Sequence, residues 1–190
     1  MAQLRFPAEG SIPEFLAALA SPEDAHGALA AAAIAGAMGA SLLRMVAGLP
    51  QTLPDSDDPT ALVSAAAALV RVQEELLETV ETETAVKLFA ARSLPKASRA
   101  ERATRDSAIQ FALRAAVDVP LEVMRLCERA LHRAVVVARR SPRAASTDVE
   151  FAVAMLAAAF NAARSNLEAK LPILTDVAHV TSIGEQAARL

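Results

Sequence analysis

The chain has no tryptophan, no tyrosine and a single cysteine, and aromatic residues of any kind make up only 3% of it. Strands draw on aromatic and β-branched side chains, so this scarcity speaks against a sandwich or a barrel. The lone thiol, Cys127, excludes an intrachain disulfide and fits a reducing cytoplasm, which is the expected location. Its setting, RLCERAL, puts it on a helix near Met124 and Leu131, with nothing nearby to lower its pKa. That is the pattern of a buried, inert thiol. Basic charge is not in excess either. Nineteen basic residues face 22 acidic ones, for a net charge of −3, which argues against a nucleic-acid partner. The locally basic runs Arg99 to Arg105 and Arg133 to Arg143 read as solvated surface. The opening MAQLRFPAEG lacks the apolar core of a secretory signal.

Several motifs are missing as well. No GxGxxG or GxxxxGK[ST] offers a phosphate cradle, and no HExxH, CxxC or GxSxG offers a zinc site or a nucleophile elbow. The histidines His26, His132 and His179 are far apart in sequence, so no metal site is expected.

What the chain does have is alanine. Hydrophobic residues account for 54% of it, and one stretch, GALAAAAIAGAMGASLLRMVAG from Gly27 to Gly48, is almost wholly apolar. Small residues at Gly27, Ala31, Ala35, Gly36, Gly39 and Ala40 leave little side-chain volume, so other helices can approach its backbone closely. A helix apolar on all faces needs cover on all faces. Arg44 interrupts the run and its apolar content is mostly Ala and Gly, so it reads as a buried core helix, with no membrane partner expected.

Around it the spacing predicts further helices. Ser11, Pro13 and Glu14 make a capping box for IPEFLAALA. Helical periodicity runs from about Thr60 to Arg92, through Leu62, Ala66, Leu69, Gln73 or Val72, Leu76 and Val80. A long helix spans about Arg102 to Arg140, with a kink or break expected at Pro120. A fifth runs from Thr147 to about Lys170, with Thr147 and Glu150 as a second capping box, and a weaker last helix starts near Val177. The fold class is therefore all-α: one domain over 1–190, an up-and-down bundle of five to six helices around a buried Ala/Gly-rich central helix. Five or six helices leave that helix short of cover, so a homodimer is expected to complete the core.

Several segments, in order, resemble one family. These are IPEFLAALAS and the Ala-rich helix after it, the tripeptide LPK at Leu94 to Lys96, and AIQFALRAAVDVPLEVMRLC at Ala108 to Cys127. Ser146-Thr147-Asp148 with Ala152 follows, and then Asn166 and Asp176. Over nearly its whole length the chain is similar to the cyclodeaminase domain of formiminotransferase-cyclodeaminase and to its stand-alone relative, methenyltetrahydrofolate cyclohydrolase. The resemblance implies an all-helical dimer acting on one-carbon units carried by tetrahydrofolate. A tetrahydrofolate derivative would be the small-molecule substrate, with no tightly bound cofactor.

The departures bear on mechanism. The family's PGGGS turn corresponds to His26 to Ala30, HGALA, where only Gly27 remains. The family's lysine-rich GKKKY is replaced by QTLPDSDDP, an acidic loop that would repel an anionic glutamate tail. The family's DxDA is replaced by Glu81-Thr82-Glu83-Thr84, and either Glu81 or Glu83 takes the position of its second acid. A carboxylate in an apolar cleft has a raised pKa and serves as general acid or base near neutral pH. Lys170 stands where the family has its second asparagine.

The resemblance thus implies Glu81, Glu83 and Asp148 as the catalytic set and His26, Gly27, Asn166 and Lys170 as the binding set. All but Gly27 have a structural alternative. The two glutamates can be solvated surface. Asp148 in a first helical turn suits the helix dipole. Asn166 can pair with Asp148, His26 can be a turn residue, and Lys170 can snorkel out of an interface. Three functions stay open. The first is a methenyl cyclohydrolase or formimino cyclodeaminase using a cleft carboxylate. The second is an enzyme on the same scaffold with a non-folate substrate and imine or amidine chemistry. The third is a non-catalytic helical dimer that has lost the site.

Overall fold

The computed structural model describes residues 11–21, 27–49, 59–81 and 99–190. Among these the elements are six α-helices, two single 3₁₀ turns and no strand. They are α1 (Ile12–Ala20), α2 (Ala28–Ala47), α3 (Pro59–Glu81), α4 (Arg99–Arg140), α5 (Ser146–Lys170) and α6 (Val177–Arg189). Helices α2, α3, α4 and α5 form a four-cornered bundle in that order, each packed on the next, with α5 closing back onto α2. Leu76 of α3, Cys127 of α4 and Ala159 of α5 all meet α2 at Gly36, which fixes one common level. Gly36 faces Ala159 while Gly39 faces Ala152 and Leu156, so α5 runs antiparallel to α2. Helix α6 lies along α4 in the same direction, with Thr175 beside Gln110, His179 beside Asp118 and Gln186 beside Arg125.

Neither end of α2 has a side-chain cap: Gly27 precedes it in extended backbone and Gly48 follows it in helical backbone. Alanine's helix propensity and burial hold it instead. Ala30, Ala33, Ala37, Ala40, Leu43 and Val46 are all at most 4% exposed. By length and composition α2 could cross a membrane, but 56% of its most apolar window is buried against its neighbours. The large side chains of the rest of the core are mostly leucine, valine and methionine: Leu69, Leu76, Leu121, Met124, Leu126, Leu156 and Leu167 are almost fully enclosed. Each contributes about 1.5–3 kcal/mol relative to an exposed side chain. On α3 the periodicity resolves in favour of Val72, which is buried, while Gln73 looks outward onto the surface.

The cap of α1 is as expected. The Ser11 hydroxyl accepts from the Glu14 N–H, and the Glu14 carboxylate accepts from the Ser11 N–H at 2.7 Å. These bonds hold the Glu14 carboxyl below its ordinary range. No residue of α1 is buried. The second expected capping box, at Thr147 and Glu150, does not form. A 3₁₀ turn, Arg143–Ala145, feeds directly into α5, so the backbone is already helical at Ser146 and the cap position falls on Ala145. A hydroxyl caps only from extended backbone just outside the helix. Asp176 does cap α6, accepting from the His179 N–H at 3.1 Å and pairing with Arg114 at 2.7 Å. Those contacts, the backbone bond first, lower its pKa. This cap is therefore intact at neutral pH and weakens as acid protonates the carboxylate.

Pro120 neither breaks nor ends α4, which runs on through it. Proline has no N–H for the carbonyl four residues back, here that of Ala116. The Lys170 ammonium, at the end of α5, donates to that oxygen at 3.2 Å.

Two predictions follow from this packing. A Cβ at Gly39 would sit 2.8 Å from the Ala152 carbonyl oxygen and 2.9 Å from Leu156, and a backbone carbonyl cannot swing aside. Overpacking of this kind costs about 1–3 kcal/mol, against about 1 gained in helix propensity. Gly39→Ala therefore lowers the urea midpoint, with a net loss of about 1 kcal/mol; an unchanged or raised midpoint contradicts the close approach. Burial pushes the Cys127 thiol up to about 12. At pH 8 the native protein should react with Ellman's reagent on the order of a thousandfold more slowly than the urea-unfolded chain, and complete native reaction within the mixing time would refute this.

Candidate functional site

Two sides of α2 are taken by α3 and α5 and a third faces α4 across the bundle. The fourth is open. Along it runs a groove of about 500 Å³ lined by Ile34, Met38 and Leu42 of α2, Gln73 and Leu77 of α3, and Phe151 of α5. Met38 is 52% exposed, Phe151 58% and Leu77 38%, a contiguous apolar surface. Ser41 also lines it, but its hydroxyl turns back to donate to the Ala37 carbonyl at 2.7 Å. That leaves the Gln73 amide as the groove's remaining side-chain polar group. Contiguous exposed apolar surface of this kind marks interaction sites and ligand grooves.

Acids stand beyond both ends of it. Asp148 is half-buried in the first turn of α5, three residues before Phe151, with no hydrogen bond or ion pair among the described residues. At the other end Glu81 is the last residue of α3, four after Leu77. Glu83 and His26 lie outside the described residues. Gly27 is the residue before α2, and a Cβ there would meet nothing within 4 Å. Leu29, which departs from the family's glycine turn, is 5% exposed and belongs to the core, leaving the groove unfilled.

Asn166 and Lys170 are one turn apart at the C-terminal end of α5. Because α5 is antiparallel to α2, they share the end of the bundle where α2 begins and α3 finishes. Asn166 has a buried side-chain oxygen with no hydrogen-bond partner among the described residues. Lys170 serves the Ala116 carbonyl. The structure thus brings Gly27, Glu81, Asn166 and Lys170 to one end of the bundle and sets Asp148 at the other. Eighteen residues of one helix separate Asp148 from Asn166, about 27 Å at 1.5 Å per residue. A pairing of the two within one chain is therefore excluded.

The groove itself does not stand out in the sequence. Met38, Leu77 and Phe151 carry its signal, as the large side chains on faces that the bundle leaves outside. Among the described residues no group of three or more His, Cys, Asp or Glu side chains could hold a metal ion.

Residues 11–189 match the family model described as formiminotransferase-cyclodeaminase. The chain is 33% identical over 162 residues to the methenyltetrahydrofolate cyclohydrolase of Methylorubrum extorquens, covering 83% of this chain and 77% of that protein. Its fold matches the crystal structure of formiminotetrahydrofolate cyclodeaminase from Thermotoga maritima, with a TM-score of 0.82 at 20% identity, over 96% of this chain and 88% of that one. With the family model spanning nearly every residue from α1 to the end of α6, this all-helical chain belongs to the formiminotransferase-cyclodeaminase family, on its cyclodeaminase side.

Proposed function

We propose that the protein is a folate one-carbon enzyme, a methenyltetrahydrofolate cyclohydrolase. The observation that carries this is the 33% identity, over most of both chains, to a methenyltetrahydrofolate cyclohydrolase. A ligand-sized apolar groove with acids beyond its ends supports it. The folate derivative is substrate, not resident cofactor.

In this reaction water attacks the carbon that bridges two nitrogens in an amidinium. A carboxylate accepts one water proton and passes it to the leaving nitrogen as that C–N bond breaks. The other water proton departs to solvent as the formyl C=O forms. Glu81, the last residue of α3, or Glu83 is the shuttle. Asn166 offers its unpartnered oxygen to a ring N–H.

The functional unit is a homodimer joined along the open strip of α2. Ile34, Met38, Leu42 and Met45 recur there at helical spacing, and Met38 and Met45 are 52% and 44% exposed. A two-fold axis crossing α2 lays one subunit's Asp148 end over the other's Glu81 end. This brings together the acids that a single chain holds apart.

A second reading, the same scaffold with a non-folate amidine, is favoured by the acidic QTLPDSDDP in place of the family's lysines.

Spectroscopic assay of 5,10-methenyltetrahydrofolate hydrolysis tests the assignment. One of Glu81→Gln and Glu83→Gln should lower kcat by about 10²–10⁴-fold, the usual share of general acid–base catalysis. No wild-type turnover, or full activity in both variants, would overturn it. Met38→Asp places a charge in the seam and should yield a monomer in sedimentation analysis with activity lost. An unchanged mass would sink the dimer.

A further inference from the structure

We propose a binding site for a multivalent oxyanion in the groove between α3 and α4, apart from the surface assigned to folate chemistry and independent of that reading. The groove holds about 430 Å³. Its sides are Arg71 from α3 and Arg129, His132 and Arg133 from α4, and its floor is Ala68 and Val72. One carboxylate, Glu75, lines it as well, and Glu122 stands behind Arg129, so three guanidiniums share the groove with two nearby acids on a chain whose net charge is −3.

The arginines are not equivalent. Arg129 is held by Glu75 at 2.5 Å and by Glu122 at 3.5 Å. That pairing uses its charge internally and ties α3 to α4. Arg71 and Arg133 have no hydrogen bond or ion pair with any described residue. They come from neighbouring helices into one concave space. Many arginines on this chain are matched: Arg114 with Asp176, Arg125 with Glu122, Arg164 with Glu168 and Arg189 with Glu185. An unmatched pair across a groove with a small-residue floor is a different arrangement. A guanidinium presents parallel N–H donors that fit a carboxylate or phosphate in bidentate fashion. Two of them on opposite walls suit a ligand with two or more oxyanion groups better than a single anion. Alanine at position 68 leaves room for such a ligand to sit between the walls.

Arg71 and the groove-lining Leu77 lie on different sides of α3, six residues and so about 120° apart around the helix. A partner subunit seated on the α2 strip would therefore leave the arginine groove accessible.

Calorimetric titration of the full chain at low salt tests the site, with inorganic triphosphate as the phosphate probe and citrate as the carboxylate probe. One equivalent per chain should bind, and Arg71→Ala and Arg133→Ala should each weaken it about tenfold, the worth of one charged hydrogen bond. Arg139→Ala, at the far end of α4, should change it less than twofold. Tighter triphosphate identifies a phosphate-bearing ligand and tighter citrate a polycarboxylate; either supports the site. A rise in melting temperature with triphosphate that is lost in the Arg71→Ala, Arg133→Ala double variant guards against misfolding. Absence of binding at millimolar probe, or equal weakening by Arg139→Ala, would overturn the proposal in favour of bulk electrostatics.

Discussion

The closeness of α2 to α5 is the constraint on which the rest of the bundle depends. At Gly39 no Cβ would fit, because the Ala152 carbonyl and Leu156 already occupy its place. At Gly36 the Leu76 side chain, the Cys127 sulfur and the Ala159 methyl converge on the same spot. A single level of α2 thus touches α3, α4 and α5 together. The helices can approach so closely only because α2 has given up side-chain volume on its inner faces. Gly36 and Gly39 are helical residues with no left-handed backbone, so space and not backbone freedom is their reason for being glycine.

Small inner faces have an outer consequence. Much of the volume that α2 lacks inside is supplied by its neighbours' leucines; of its own larger residues Leu43 and Val46 stay in the core, while Met38 and Met45 are turned outward. The open strip is the counterpart of the tight core. A bundle of four helices covers each helix on about three sides, and α2 is apolar on the fourth. The family assignment and the groove are in this sense two aspects of one composition.

The far end of the bundle shows how one local defect recruits a distant residue. Pro120 deprives the Ala116 carbonyl of its helical partner, and Lys170, 54 positions later, supplies one. In the sequence Pro120 marks an expected kink or break and Lys170 a binding residue or one that snorkels out of an interface, two separate features. Their relation is tertiary: it exists because α4 and α5 are antiparallel and the end of the second meets the middle of the first. The same limit governed the candidate site. Asp148 and Asn166 were grouped by resemblance, yet they sit on one straight helix, and rise per residue alone keeps them about 27 Å apart.

Periodicity and composition were enough for the helices of the described residues, the buried Cys127 and the Ser11–Glu14 cap, because each is a property of near neighbours; the family was legible only through a resemblance carried by an ordered string of motifs. The bounds of α4 and α5 fell within a few positions of expectation for that reason. The missed cap at Thr147 marks the edge of such reasoning, since a hydroxyl and an acid three apart say nothing of the 3₁₀ turn that starts the helix early. Only the tertiary structure decided which side of α2 stays open, which of Val72 and Gln73 points inward, which arginines find acids, and which ends of the bundle the acids occupy. Those outcomes depend on the relative direction and rotation of helices, and these are set by how side chains from several helices fill a common space at once.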